Sequence, residues 1–280
     1  MSQAGAWKPT TFLRFEEALD TSMGTARIVT DAGHCYVKAL GNRQGPHPLA
    51  CEWVATHLAH WFGLPTFDFG VLQIDAEIDE IPFLRGGTAA SGPAFVTRAA
   101  AGHTWGGSAE ELDCLVNCEA ISWLMVFDTW TLNCDRHPAD LTVRSPNYDN
   151  VFLERVSESD PVGFRLIAMD HTHCFTCGRD LGGETANVNK IKDERLYGAF
   201  PAFLPRVRQQ DVEAAIKRLQ ELDDDTVRKV VGSIPAEWEV GVAGRKALIE
   251  LISRRATFVA DTILREIGAA CWPDKLFDCD

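Results

Sequence analysis

The sequence predicts an α+β protein in two lobes: a small β-rich N-terminal lobe over residues 1–102 and a larger, mainly helical lobe over 103–280. Three observations carry this. Short runs of β character are concentrated before residue 98. Long apolar helical patterns dominate after residue 108. Between them lies Ala99-Ala100-Ala101-Gly102-His103-Thr104-Trp105-Gly106-Gly107, a stretch of small residues suited to a hinge. With 280 residues, 46% apolar and 24% charged, the chain can bury a sizeable core and has the composition of an ordinary soluble globule.

In order along the chain, Phe12 to Ala18 reads as a short strand or helix. A small polar loop, Asp20-Thr21-Ser22-Met23-Gly24-Thr25, follows it. Ala26 to Thr30 and His34 to Leu40 are β-type runs around an Asp31-Ala32-Gly33 turn, and they predict a hairpin. Lys38 falls near the end of its second strand. Pro48 to Gly63 predicts a helix, with proline at its start, glycine at its end and apolar residues at 50, 51, 54, 58 and 61. Glu52 lies near its N-terminus, where a first-turn acid is also favoured by the helix dipole. Phe67 to Ile74 and Ala94 to Arg98 complete the strands of the first lobe.

In the second lobe, Ser108 with Glu111 three residues on forms a capping-box pattern and starts a helix that runs to Leu132. This helix is apolar nearly all round, as a helix buried in the centre of a lobe is. It delivers a polar loop, Asn133-Cys134-Asp135-Arg136-His137-Pro138-Ala139-Asp140. A β-like run, Leu141-Thr142-Val143, and a turn cluster follow. A strand over Phe164 to Met169 then ends at Asp170. Two aspartates, one on a loop and one at a strand end, suit phosphoryl transfer: one orients the attacking hydroxyl and the other holds magnesium against the phosphates. Gln210 to Leu219, Thr226 to Val231 and Ala243 to Ala270 read as scaffold helices.

The segment Asn133-x-Asp135-Arg136-His137 with a polar residue at 140, followed by a strand and Asp170-His171, resembles the HipA-like kinases. It is also similar to the phosphatidylinositol kinase branch of the same superfamily. The family pattern is N-x-D-R-H-x-x-N, then a D-F-G-like segment. The resemblance implies a bilobal protein kinase-like fold that uses ATP and Mg2+ to phosphorylate a hydroxyl, since HipA-like proteins act on proteins at Ser or Thr. It matches Asp135 to the catalytic aspartate and Asp170 to the metal aspartate. Asp140 stands where the family has a metal-binding Asn; it keeps an oxygen ligand for a hard cation and adds a charge. Lys38 corresponds to the lysine that grips nucleotide phosphates, and Glu52 to the acid that pairs with it. Ser22 and Gly24 belong to the loop that covers the phosphates, and Arg98 completes the nucleotide-side residues. Arg136 and His137 brace the loop. An AMP transferase or a nucleotide-binding pseudokinase on the same fold are the alternatives.

A net charge of −13 argues against a broad surface that tracks nucleic acid or an anionic membrane, so nucleic acid enters only through a partner. No apolar run reaches a membrane span, and the N-terminus lacks a signal-peptide core, so a cytoplasmic protein is expected. The partners expected are ATP and a protein or small-molecule hydroxyl. The nine cysteines are odd in number and mostly in apolar contexts, as buried free thiols are. A competing reading builds a zinc-binding interaction module from Cys114, Cys118 and the C-x-x-C pair Cys174 and Cys177. His171 and His173, beside that pair, are further metal-ligand candidates, although histidines in such places are more often structural.

Overall fold

The structure is a computed structural model that describes residues 7–156 and 163–272. It is α+β and forms two compact units. Unit 1 comprises residues up to Trp53, Phe67–Ala100 and Ile234–Val240. Unit 2 comprises Val54–Thr66, Ala101–Ser233 and residues from Gly241 onward. The units are therefore not contiguous stretches of chain. The helical segment 54–66 counts with unit 2, and a short piece near residue 237 counts with unit 1.

Unit 1 is a five-stranded antiparallel sheet with strand order β1-β2-β3-β5-β4. The strands are β1 (Phe12–Ala18), β2 (Ala26–Thr30), β3 (Gly33–Lys38), β4 (Phe69–Ile74) and β5 (Gly92–Arg98). The segment of uncertain type at the N-terminus is thus a strand, paired along β2. The loop before Ala26 becomes the tip of the β1–β2 hairpin. Ala26, Ile28, Cys35, Val37, Leu72, Ile74, Ala94 and Val96 face one core, which is closed by Ile81 and Phe83. Alternate residues of each strand reach it, as the two-residue period of a strand requires. Trp238 is fully buried and donates to the Pro93 carbonyl at 2.9 Å, which fixes the returning segment to unit 1.

Helix α1 (His47–Phe62) begins in unit 1 and ends in unit 2. It stops at Gly63, whose φ of +100° lies in the left-handed region that ends helices. Its aromatic end belongs to the unit 2 core, where Phe62 packs against Trp123, Phe127 and Trp130.

Unit 2 is mainly helical with a three-stranded sheet, β6-β7-β8: Gly102–Thr104, Val151–Arg155 and Phe164–Ala168. Part of the expected hinge is therefore a strand. The expected single helix from Ser108 to Leu132 is two, α2 (Ala109–Asp113) and α3 (Glu119–Thr131). Ser108 does cap α2, its hydroxyl accepting from the Glu111 amide at 3.3 Å, but the Glu111 carboxylate turns to His103 instead of closing the box. The break between the helices has a tertiary cause. The Cys114 carbonyl accepts from the Phe164 amide, and the Val116 amide donates to the Phe164 carbonyl, so this stretch pairs with the start of β8. Asn117 extends the pairing through its side chain, bonding both backbone groups of Leu166.

Helix α3 is the centre of unit 2, buried from Ala120 to Thr131 at nearly every position. Against it pack α5 (Gln209–Gln220) and the long α7 (Val242–Cys271), and α4 (Val188–Ile191) and α6 (Asp224–Gly232) pack on α7. Leu248, Leu251, Ile252, Val259 and Ile263 of α7 are buried at helical spacing. Arg255, also fully buried, gives two hydrogen bonds to the Thr129 carbonyl near the end of α3. A cation there satisfies a carbonyl that the helix end leaves without an amide partner.

Candidate active site

The polar loop after α3 is shaped by the end of that helix. Leu132 turns into the left-handed region at φ 55° and so redirects the chain. Asn133 is fully buried; its amide donates to Asp128 at 3.2 Å, and its carbonyl oxygen receives the Asp135 backbone N–H at 3.2 Å. Asp135 is thereby held at a fixed point beyond the helix.

Arg136 organises the surroundings. Its guanidinium has no exposed surface and forms an ion pair with Asp128, also fully buried. Its other nitrogens donate to the carbonyls of Asn150, at 3.0 Å, and Met169, at 2.7 Å. Burial raises the Asp128 carboxyl above its ordinary value, with Arg136 and Asn133 pulling the other way. Asp128 also explains Gly198, where a Cβ would fall 2.5 Å from its carboxylate oxygen. His137 is buried edge-on against Phe200, and burial lowers its basicity.

Asp135 meets four neighbours. Asn150 donates to its Oδ2 at 2.8 Å, and His173 Nδ1 lies 3.6 Å from the same oxygen. Arg144 forms a 2.6 Å ion pair with Oδ1 and also lies 3.3 Å from His173 Nε2. The fourth contact is its own amide to Asn133. Asn150 in turn connects to the second aspartate. Its carbonyl accepts from Met169, the residue before Asp170, at 3.3 Å. Asp170 has φ 56°, a left-handed conformation that is uncommon outside glycine, though aspartate adopts it more readily than most, and that gathers at functional sites. Thr172 donates to Asp170 at 2.7 Å and lies 3.2 Å from His173 Nδ1, which closes a chain of contacts back to Asp135.

Asp140 does not join this group. It is exposed, and its carboxylate accepts from both the hydroxyl (2.6 Å) and the amide (2.9 Å) of Thr142. Those bonds, the hydroxyl first, hold its pKa below the ordinary range. The expected β-like run Leu141-Thr142-Val143 is part of the resulting turn, and the strand of the hairpin is β7 instead. An excursion thus separates the loop from its strand, and the side chain beside Asp135 is Asn150, immediately before β7. Sequence reading missed Asn150, Arg144 and Asp128. An Asn directly preceding an apolar strand was the one available signal for the first of them.

In unit 1, Lys38 at the end of β3 and Glu52 on α1 form an ion pair at 2.6 Å, with the Glu52 side chain only 4% exposed. Glu52 sits in the second turn of α1, so the helix dipole is not its reason for being there. The tip of the β1–β2 hairpin is closed by internal bonds: Thr25 N–H to the Thr21 hydroxyl at 2.8 Å and Gly24 N–H to the Thr21 carbonyl at 3.3 Å. Ser22 is exposed at this tip. Gly24 has φ +65°, and a Cβ on it would lie 2.7 Å from the Phe83 ring, so packing and conformation both demand glycine. Arg98 pairs at 3.3 Å with Asp68, both more than half exposed.

The four cysteines of the zinc reading do not converge. Cys114 and Cys118 bond the carbonyls of Glu110 and Leu115, and Cys174 bonds the Thr131 hydroxyl. Among the described residues no group of three or more His, Cys, Asp or Glu is placed to hold a metal ion. His171 is buried against Phe127. No helix among the described residues is long and apolar enough to cross a membrane.

A search of curated proteins finds no match. Among solved structures, the Helicobacter pylori proinflammatory kinase CtkA is similar in fold, with a TM-score of 0.58 at 12% identity over 94% of this chain and 98% of that one. The family model for HipA-like kinases matches residues 28–262. That match includes Lys38, Glu52, Asp135, Asn150 and Asp170 and spans most of both units, and the chain belongs to the HipA-like kinase family.

Proposed function

We propose that the protein transfers the γ-phosphoryl group of ATP to a Ser or Thr hydroxyl of a protein in the cytoplasm. The observation that carries this reading is the grouping of Asp135, Asn150 and the strand end bearing Asp170 through hydrogen bonds of 2.8 and 3.3 Å. Asp135 orients the hydroxyl. As the new O–P bond forms at the γ-phosphorus, the hydroxyl proton passes to Asp135. The bond to the bridging oxygen breaks, and ADP leaves with the electron pair. Charge in such a transition state is spread over the phosphoryl oxygens, so positioning and electrostatics supply the catalysis.

Asp170 and the amide oxygen of Asn150 are hard oxygen donors. Magnesium binds with one or two such groups and completes its shell from phosphates and water, so these residues fit it. When bound, it neutralises charge on the phosphates. In this reading Asn150 takes the role first assigned to Asp140, and Arg98 has none. Lys38, fixed by Glu52, meets the phosphates, and the hairpin tip at Ser22 and Gly24 covers them.

The test is label transfer from γ- and α-labelled ATP in parallel, with magnesium, on the wild type and Asp135→Ala. Self-labelling or substrate labelling from the γ position, lost in the variant, supports the proposal. Label from the α position replaces it with AMP transfer, and bound ATP with no label from either replaces it with a pseudokinase.

A further inference from the structure

The Asp135 carboxylate is open to solvent on one side. Its Oδ2 faces the interior: Asn150, 3% exposed, donates to it at 2.8 Å, and the buried His173 lies 3.6 Å away. Its Oδ1 meets Arg144, whose side chain is 38% exposed, while that of Asp135 itself is 15% exposed. The opening beside the carboxylate is therefore on the Oδ1 side, and Arg144 flanks it.

Arg144 belongs to the excursion between Asp140 and Asn150, and three contacts fix its guanidinium. Nη1 pairs with Asp135 Oδ1 at 2.6 Å and donates weakly to the Cys134 sulfur at 3.8 Å. Nη2 lies 3.3 Å from His173 Nε2 and, having only hydrogens to give, donates there. The backbone is held as well, since the Asn147 amide donates to the Arg136 carbonyl at 2.8 Å. Arg144 is thus in position before any substrate arrives. A guanidinium has five N–H groups, of which these contacts use three. Among the described residues the Nε–H and one Nη2–H have no partner. Those two nitrogens lie along one edge of the planar fork, a geometry that matches a phosphoryl group.

Each carboxylate oxygen accepts twice, so the second position on Oδ1 is the one an acceptor hydroxyl can take. Two contacts of ordinary length to one oxygen place the hydroxyl oxygen and Nη1 about 4–5 Å apart. A γ-phosphorus poised for attack stands about 3–3.5 Å from that hydroxyl. Its oxygens then come within side-chain reach of the Nε–Nη2 edge.

We infer that Arg144 is a catalytic residue that bridges the Asp135 carboxylate and the transferring phosphoryl group. The inference rests on the proposed transfer to a hydroxyl. In that step the hydroxyl oxygen bonds to the γ-phosphorus and its proton passes to Asp135. The bond to the bridging oxygen breaks, and ADP leaves with the electron pair. Arg144 gives up no proton; its Nε and Nη2 donate to the phosphoryl oxygens while the charge on them is spread. A donor already held in place needs little reorganisation at that moment, which is the source of its effect.

The experiment measures transfer of the γ-phosphoryl group by the full chain, to itself and to casein, in the wild type, Arg144→Met and Arg144→Lys. It is run with ATP and with ATPγS, and calorimetric titration with ADP in magnesium checks that each variant keeps its nucleotide site. Arg144→Met lowers the rate at saturating ATP by about 100- to 1000-fold, the scale of one lost preorganised donor. Its KM for ATP and its ADP affinity stay within about threefold, as loss of a contact made only in the transition state requires. Arg144→Lys recovers part of the rate, having the charge without the fork. The ratio of the ATP and ATPγS rates shrinks in both variants, because sulfur perturbs a contact that neither makes in full. Support of the Asp135 loop alone leaves that ratio unchanged, and an unchanged ratio overturns the inference. So does a rate in Arg144→Met equal to or above the wild type, a higher one making Arg144 a cover over Asp135. If the wild type binds ATP and transfers no γ-phosphoryl group, the proposed function fails and the inference with it. A wild type that transfers, beside variants of full rate, removes the inference alone.

Discussion

Replacing Arg136 by Met keeps the length of the side chain and removes its charge and donors. Three acceptors lose partners: the Asp128 carboxylate and the carbonyls of Asn150 and Met169. Asp128 has no exposed surface, so its charge is left without compensation in the interior. Breaking a buried pair by removing one partner costs about 3–5 kcal/mol, a large share of the roughly 5–15 kcal/mol that holds a typical protein folded. The assay is native-state hydrogen exchange at the α3 amides, which reads the stability of unit 2 alone.

The pH dependence carries its own sign. Asp128 has a raised pKa in the folded state, and losing Arg136 raises it further. The stability this group contributes is fully present below the unfolded value of 3.8 and is lost as pH rises through the folded value. The deficit of Arg136→Met therefore shrinks toward acid pH and deepens toward neutrality. Adding Asp128→Asn, which removes the buried charge, recovers stability at pH 7. A deficit below about 1 kcal/mol, the scale of one ordinary hydrogen bond, or a double variant no better than the single one, refutes the reasoning.

Three more outcomes follow from the geometry. Asn150→Ala lowers phosphoryl transfer by about 100-fold and raises the magnesium requirement, as loss of a preorganised polar group does. Asp140→Asn keeps nucleotide affinity in magnesium and near wild-type rates; the reverse order between these two variants, read by magnesium titration of the rate, returns the metal role to Asp140. Gly24→Ala meets the Phe83 ring and a φ of +65°, and destabilises unit 1 by about 1–3 kcal/mol, measured by exchange at the β2 and β3 amides.

What the sequence revealed depended on how local each signal is. The strands around Gly33 are legible because alternation and a turn residue lie within one short window. Asp135 and Asp170 are legible because a compact motif surrounds each. Asn150 is not, since the excursion after Asp140 puts it far from the Asp135 it contacts, and only folding brings them together. Leu141-Thr142-Val143 has β-branched residues, but the Asp140 side chain bonds the backbone two residues on and makes a turn there, as aspartate tends to do. The helix expected through Cys114–Asn117 has good local propensity. Pairing with β8 overrides it, and nothing near those residues in the sequence announces that strand.

The excursion between Asp140 and Asn150 starts and finishes at anchored posts. Arg136 secures Asn150 at one end, and the Asn147 amide returns to the Arg136 carbonyl at 2.8 Å. Asp135 and Asn150 are positioned by these posts and not by the length of chain strung between them. That chain is therefore free to be lengthened, shortened or rewritten over evolutionary time while Asp135 and Asn150 keep their mutual distance. Through Arg144 it still reports directly on the carboxylate. Changes in this loop that keep Arg136, Arg144 and Asn147 leave the surroundings of the Asp135 carboxylate in place.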